Sequence, residues 1–263
     1  MTKKLILLLA LFLGASVSLW AYENTYAIVI GVADYKNYSP DDGDLNYTIN
    51  DATSFAAFLK SKKGGSVPAS NIVLLIDSQA SKANIITKAK NLFAKAKRND
   101  RVIFYFSGHG SKGCFVPYDV DIMGSNLLYF DEVKAIFRCA KCNTKLLFAD
   151  ACFSGSMKTE LLSKTNMKKS LEKSIKAASN INIAVMMSCQ DDEFSIESSD
   201  LRQGLFTYYL MEGLGGKANR DGNKYITIQE LYYYVYHKVQ DRTINQTPQL
   251  FGKFDLRLIV AKV

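Results

Sequence analysis

Two short stretches hold side chains that could do covalent chemistry. Arg101 to Gly110 reads RVIFYFSGHG, an apolar run that stops at Ser107-Gly108-His109-Gly110. Thr144 to Gly155 reads TKLLFADACFSG, a second apolar run that stops at Asp150-Ala151-Cys152. A thiol attacks a carbonyl as its thiolate, and a nearby imidazole can take the proton and later pass one to the leaving group. A histidine at a strand end is ordinarily structural, and a lone cysteine is ordinarily a core residue. Here the cysteine lies in a polar turn between Asp150 and Ser154-Gly155. The histidine, one of two in the chain, lies between glycines that let the backbone turn and a ligand approach. Together they point to a Cys/His hydrolase.

For the two to meet, both runs must end on one edge of a sheet, and open α/β sheets put their sites at the carboxyl ends of their strands. The remaining pattern supplies such a sheet. Tyr26–Val32, Asn71–Ile76, Arg101–Ser107, Thr144–Ala149, Ile181–Ser188 and Leu256–Val260 read as strands. Between and after them come helical spacings. One starts near Asn50, which can cap it, and carries Ala52, Phe55, Ala56 and Leu59. A second opens at Ser81 with Ile85, Ala89, Leu92 and Ala96, and others cover Tyr129–Arg138, Leu205–Leu214 and Ile228–Val239. Strands alternating with helices predict an α/β fold, a mostly parallel central sheet of about six strands with helices on both faces.

The chain has 263 residues, 48% hydrophobic and 22% charged, as a packed globular protein requires. Its net charge of +8 is moderate, and no zinc-finger, helix-turn-helix or aromatic-basic pattern accompanies it, so no nucleic-acid partner is expected. Residues 1–21 have two lysines, an apolar stretch and a small-residue exit, the layout of a signal peptide. Cleavage fits after Ser18 or after Ala21. The expectation is an exported protein, periplasmic or extracellular, with no stable membrane span after processing. Residues 22–263 then read as a single domain. Five cysteines leave at least one unpaired, and Cys139–Cys142 reads as a disulfide or as two buried thiols. His237 falls in a helix far from the first histidine.

SGHG after one strand and DACFSG after the next resemble the caspase-type cysteine peptidases (family C14), among them the metacaspases and bacterial caspase-domain proteins. Tyr26–Tyr38, Leu45–Ala52, Gly204–Leu214 and Gln246–Gly252 extend the likeness over nearly everything after the leader. The resemblance implies a caspase-haemoglobinase-like fold and a cysteine-type endopeptidase. Cys152 would be the nucleophile, His109 the general acid/base, and the N–H groups of Gly110 and Cys152 the oxyanion donors. Asp150 matches a metacaspase pocket acid and Asp51 a second one. Two carboxylates in a narrow pocket favour Lys or Arg before the scissile bond, hence protein or peptide substrates with basic residues. Asp51 also reads as an acid favoured in a helix's first turn. The alternatives are a non-catalytic or latent caspase-like domain that binds a protein, and a legumain- or gingipain-like enzyme.

The resemblance divides the domain into a large-subunit-like part to about residue 155, a Lys-rich linker over about 156–180 and a small-subunit-like part over 181–263. Lys158, Lys164, Lys168, Lys169, Lys173 and Lys176 fit either a self-cleavage segment or a solvated helix. The chemistry requires no cofactor, and calcium is the one ion the sequence raises. Asn219, Asp221, Asn223, Tyr225, Thr227 and Glu230 take the ligand positions of an EF-hand loop. Lys224, however, replaces its glycine, as in a loop that has lost its ion. The resemblance to metacaspases, many of which depend on calcium through acids downstream of the His motif, also draws in Asp119, Asp121, Asp131 and Glu132, which lie in that region without a ligand set being assigned.

Overall fold

The computed structural model describes residues 22–38, 44–111, 113–121, 123–152, 182–190 and 193–263. The expected signal peptide and the Lys-rich linker, including any self-cleavage site in it, lie outside these residues.

Chain order is β1 (Thr25–Gly31), α1 (Thr48–Lys60), β2 (Ile72–Ile76), α2 (Lys82–Phe93), β3 (Arg101–Ser111), β4 (Cys114–Phe115) and β5 (Leu128–Tyr129). Then come α3 (Phe130–Arg138), β6 (Thr144–Cys152), β7 (Ala184–Met187), β8 (Glu197–Ser198), β9 (Gln203–Gly204) and α4 (Leu205–Glu212). The chain ends with β10 (Tyr225–Thr227), α5 (Ile228–Gln240), β11 (Gln249–Gly252) and β12 (Ile259–Lys262). The central sheet runs β11-β7-β6-β3-β1-β2. All neighbours are parallel except the edge strand β11. This six-strand path is the mostly parallel sheet that the alternation implied, and β4 and β5 extend it antiparallel from the end of β3.

Strands covered on both faces must be apolar on both, which is why β1, β3 and β6 read as continuous runs. Ile28, Ile30, Phe104, Phe106 and Leu147 face one way, with α2 and α3. Ala27, Val29, Ile103, Tyr105, Leu146 and Phe148 face the other, with α1, α4 and α5. Phe148 is fully buried, and its truncation to alanine costs about 3–5 kcal/mol. Ser81 caps α2 by accepting the Asn84 N–H at 3.4 Å, as expected. Asn50 does not cap α1. The helix starts at Thr48, and the Asn50 side chain donates instead to the Arg202 carbonyl at 3.2 Å.

The sixth strand of the sheet is also not the expected one. Gln249–Gly252 fills that place, while Ile259–Lys262 leaves the sheet to pair with Tyr225–Thr227. Short apolar runs near a chain end show strand character but not which strand they will pair with.

Candidate active site

β3 and β6 pair in a register that sets Ser107 opposite Asp150, Gly108 opposite Ala151 and His109 opposite Cys152. Side chains alternate along a strand, and Ile103, Tyr105, Leu146 and Phe148 belong to the face under α1 and α4. Counting on by twos puts the positions Ser107, His109, Asp150 and Cys152 on that same face, at the carboxyl edge. Both strands run further than their apolar runs suggest. β3 reaches Ser111 because Gly110 and Ser111 pair with Phe115 and Cys114, and β6 reaches Cys152 as the partner of His109. His109 and Cys152 therefore stand in paired strand ends rather than in turns.

His109 is buried. Its backbone N–H donates to the Tyr35 hydroxyl at 2.7 Å, and the two rings lie 5.2 Å apart. The Val116 N–H donates to the His109 carbonyl at 3.0 Å. Donors along an antiparallel pair alternate sides, so the next N–H, that of Gly110, turns from β4 toward the β6 side.

The two acids lie on separate elements, Asp51 on α1 and Asp150 on β6, and meet at β9. Asp51, in the first turns of α1, accepts the Gly204 N–H at 2.9 Å on Oδ1 and the Ser107 hydroxyl at 2.9 Å on Oδ2. Its oxygens are thus taken up across the site, not by the N–H groups of its own helix end. Asp150 accepts the Thr207 N–H at 3.0 Å and hydroxyl at 2.7 Å, and the Ser195 hydroxyl on its other oxygen. Only glycine fits at 204. A Cβ there would collide with Asp150 Oδ2 and lie 3.1 Å from Asp51 Oδ2.

Asp51 and Asp150 line one small cavity with Thr48, Ser107, Ser195 and Glu197. Burial first, then the Asp150 carboxylate, pushes the Asp51 carboxyl well above its ordinary range, and the Gly204 and Ser107 donors oppose this. Burial also raises Asp150 against its hydrogen bonds from Ser195 and Thr207. The Thr48 hydroxyl is buried in the same wall with no hydrogen-bond partner among the described residues. Such an atom is rare unless something else occupies the space beside it. Thr48, Ser195 and Glu197 were not singled out by sequence reasoning. Glu197, which accepts the Tyr47 N–H at 2.7 Å and the Asn46 N–H at 3.1 Å, adds a third acid to the cavity wall.

Other candidates stand elsewhere. His237 packs against Tyr233 and Tyr236 on α5. Cys139 and Cys142 are free thiols, so the disulfide alternative gives way, and of the two expected buried thiols only Cys142 is buried while Cys139 is half-buried. In the EF-hand-like loop the Asp221 carboxyl accepts from Asn223, and Glu230 accepts the Thr227 N–H at 2.9 Å as the helix cap of α5. Asp119 accepts the Lys82 N–H, Asp121 the N–H groups of Met123 and Ser125, Asp131 pairs with Lys134, and Glu132 pairs with Lys82. Among the described residues no three His, Cys, Asp or Glu side chains cluster as metal ligands would.

Residues 24–257 match the family model of the caspase domain. The chain belongs to the caspase-domain family. Metacaspase-1A of Aspergillus oryzae is 37% identical over 109 residues, 39% of this chain and 25% of the relative. Metacaspase-1B of the same organism is 34% identical over 149 residues, 49% of this chain and 34% of the relative. A probable protease of a Desulfuromonadales bacterium is 27% identical over 150 residues, 48% of this chain and 18% of the relative. The match thus spans about a third or less of each of these proteins. A solved protein of Geobacter sulfurreducens shares the fold, with a TM-score of 0.61, 17% identity, and coverage of 91% of this chain and 98% of that one. This caspase domain has the caspase-haemoglobinase-like α/β architecture that its motifs implied. No described helix is long and apolar enough to cross a membrane.

Proposed function

We propose that the chain is an exported cysteine endopeptidase that cuts after Arg or Lys. The Cys152 thiolate attacks the scissile carbonyl carbon, His109 protonates the departing amine, and water hydrolyses the thioester to free the enzyme. The N–H groups of Gly110 and Cys152 hold the oxyanion between those steps. The observation that carries this reading is the β3–β6 register, with His109 opposite Cys152 and Ser107 opposite Asp150 on one strand face. Membership of the caspase-domain family supports the same chemistry.

The basic-residue preference rests on the paired acids. Asp51 and Asp150 converge on Gly204 in a cavity that also holds Glu197 and the orphan Thr48 hydroxyl. A buried carboxyl pair with raised pKa is an unfavourable arrangement for the empty protein, and a guanidinium or ammonium ion entering between the acids relieves it. An Asp or Glu side chain would add a like charge and be rejected.

Labelling tests the proposal. A peptide chloromethyl ketone ending in Arg should alkylate Cys152, as read by peptide mapping, and His109→Ala should slow the labelling at least a hundredfold. No adduct, an adduct on another cysteine, or equal labelling by an Asp-ending ketone would overturn it.

A further inference from the structure

A cavity of about 430 Å³ opens at the amino-terminal edge of the sheet, the edge opposite Cys152 and His109. That volume lies within the range of small-molecule sites. Phe58 at the end of α1, Leu146 and Phe148 at the start of β6, and Leu214 give it apolar walls. Its charge is one-sided. Lys62, Lys63 and Arg101 line it, beside Lys262, which is already engaged by another group, against one acidic side chain, Glu23, which already accepts from the Asn99 amide at 3.1 Å.

Arg101 is the unusual member. It is only 3% exposed, yet no carboxylate among the described residues pairs with it. Buried charges are ordinarily paired, because an unpaired one is costly to remove from water. Its Nε–H donates to Thr25 Oγ1 at 3.2 Å, one Nη1–H donates to the Val260 carbonyl, and its guanidinium carbon lies 3.8 Å from the Tyr22 ring centroid. Tyr22 also takes a side-chain hydrogen bond from it, and because a guanidinium carries five N–H donors, these three partners still leave two for a planar anion. Burial pulls the Arg101 pKa below its ordinary value, and a bound anion would restore it.

We propose that this cavity binds a small amphipathic anion, a carboxylate or phosphate monoester on an apolar tail, with the head group on Arg101 and the tail against Phe58, Leu146, Phe148 and Leu214. The site is independent of the peptidase reading, since it lies on the far edge of the sheet and shares no residue with the acid-lined cavity.

Calorimetric titration of the full chain with octanoate and with octyl phosphate, below their micellar range, tests the proposal. Octanol and octyltrimethylammonium serve as neutral and cationic controls. At least one anion should bind, with octanol at least tenfold weaker and the cation undetectable, and affinity should fall as salt is raised. A preference for octanoate assigns a fatty-acid-like ligand, and a preference for octyl phosphate a phosphoester. Arg101→Met should weaken binding at least tenfold. Because that variant can fail to fold, Lys62→Glu/Lys63→Glu on the exposed rim and Leu214→Trp filling the cavity are measured beside it, each folded by circular dichroism. Loss of affinity in either supports the site. Absence of binding by both anions, equal binding of octanol, or undiminished binding in the rim and filling variants overturns it.

Discussion

At the scale of single residues the acid pair makes the sharpest demands. The Asp51 carboxyl is held well above its ordinary 3.8 by burial and by Asp150. A carboxyl whose folded pKa exceeds its unfolded one binds more protons folded than unfolded between the two values. Its contribution to stability is therefore lost as pH rises through that window. Asp51→Asn removes this penalty and keeps both contacts, since an amide oxygen can accept from Gly204 and an amide N–H can donate to Ser107. The variant should melt higher than wild type at neutral pH, by roughly 0.5–2 kcal/mol of stability, and should lose its share of the pH dependence of melting. A lower melting temperature would mean that the pair stabilises the fold. In turnover, the preference for an Arg peptide over its citrulline isostere should grow as pH rises through the raised carboxyl pKa. Taking the ratio of the two kcat/KM values cancels the titration of Cys152 and His109, and a flat ratio would exclude the acids from recognition. His109, Cys152 and Asp150 were singled out in the sequence because each stands at or just past the end of an apolar run, and the roles proposed for them rest on the family resemblance. Thr48, Ser195 and Glu197 were not, because only the folded chain brings them to Asp150.

At the scale of elements, the site depends on how the ends of β3 and β6 are held. The apolar pattern located both strands but ended them early, since Gly-His-Gly and Ala-Cys carry no alternation to read. What extends them is pairing, with β4 on one side and each other on the other. The Gln246–Gly252 stretch, recognisable only by resemblance, has a physical role of its own. Gln246 is fully buried, accepts the Ile196 N–H at 2.9 Å and donates to the Ser188 carbonyl at 3.1 Å. It thereby ties the segment that delivers Ser195 to Asp150. Gln246→Ala leaves the Ile196 N–H unsatisfied and should cost about 1–3 kcal/mol. That corresponds to a melting temperature lower by roughly 2–4 °C for each kcal/mol, together with a raised KM for Arg peptides. A change in stability with an unaltered KM would detach this strap from the acid pocket.

At the scale of the whole molecule, the doubly covered parallel sheet was readable from strand–helix alternation, whereas the C-terminal pairing was not. Two short apolar segments compete for the edge beside β7, and Gln249–Gly252 takes it while Ile259–Lys262 closes a ribbon with β10. The EF-hand-like loop ends in that ribbon and in the cap of α5, with Asp221 and Glu230 already engaged locally. Chelation with EGTA should leave the melting temperature and peptide turnover unchanged, and a fall in either on chelation that calcium restores would assign the loop, or the acids near Asp121, an ion. The proposed peptidase activity requires one face of the β3–β6 edge to unite a Cys/His pair with an acid-lined pocket. Its most direct test is kcat/KM for otherwise identical peptides ending in Arg and in Asp, measured on wild type, Cys152→Ala and Asp150→Asn. Cleavage of the Arg peptide alone is expected, abolished in Cys152→Ala and reduced at least a hundredfold in Asp150→Asn. Equal or preferential cleavage of the Asp peptide, or Arg turnover that survives Cys152→Ala, would contradict it.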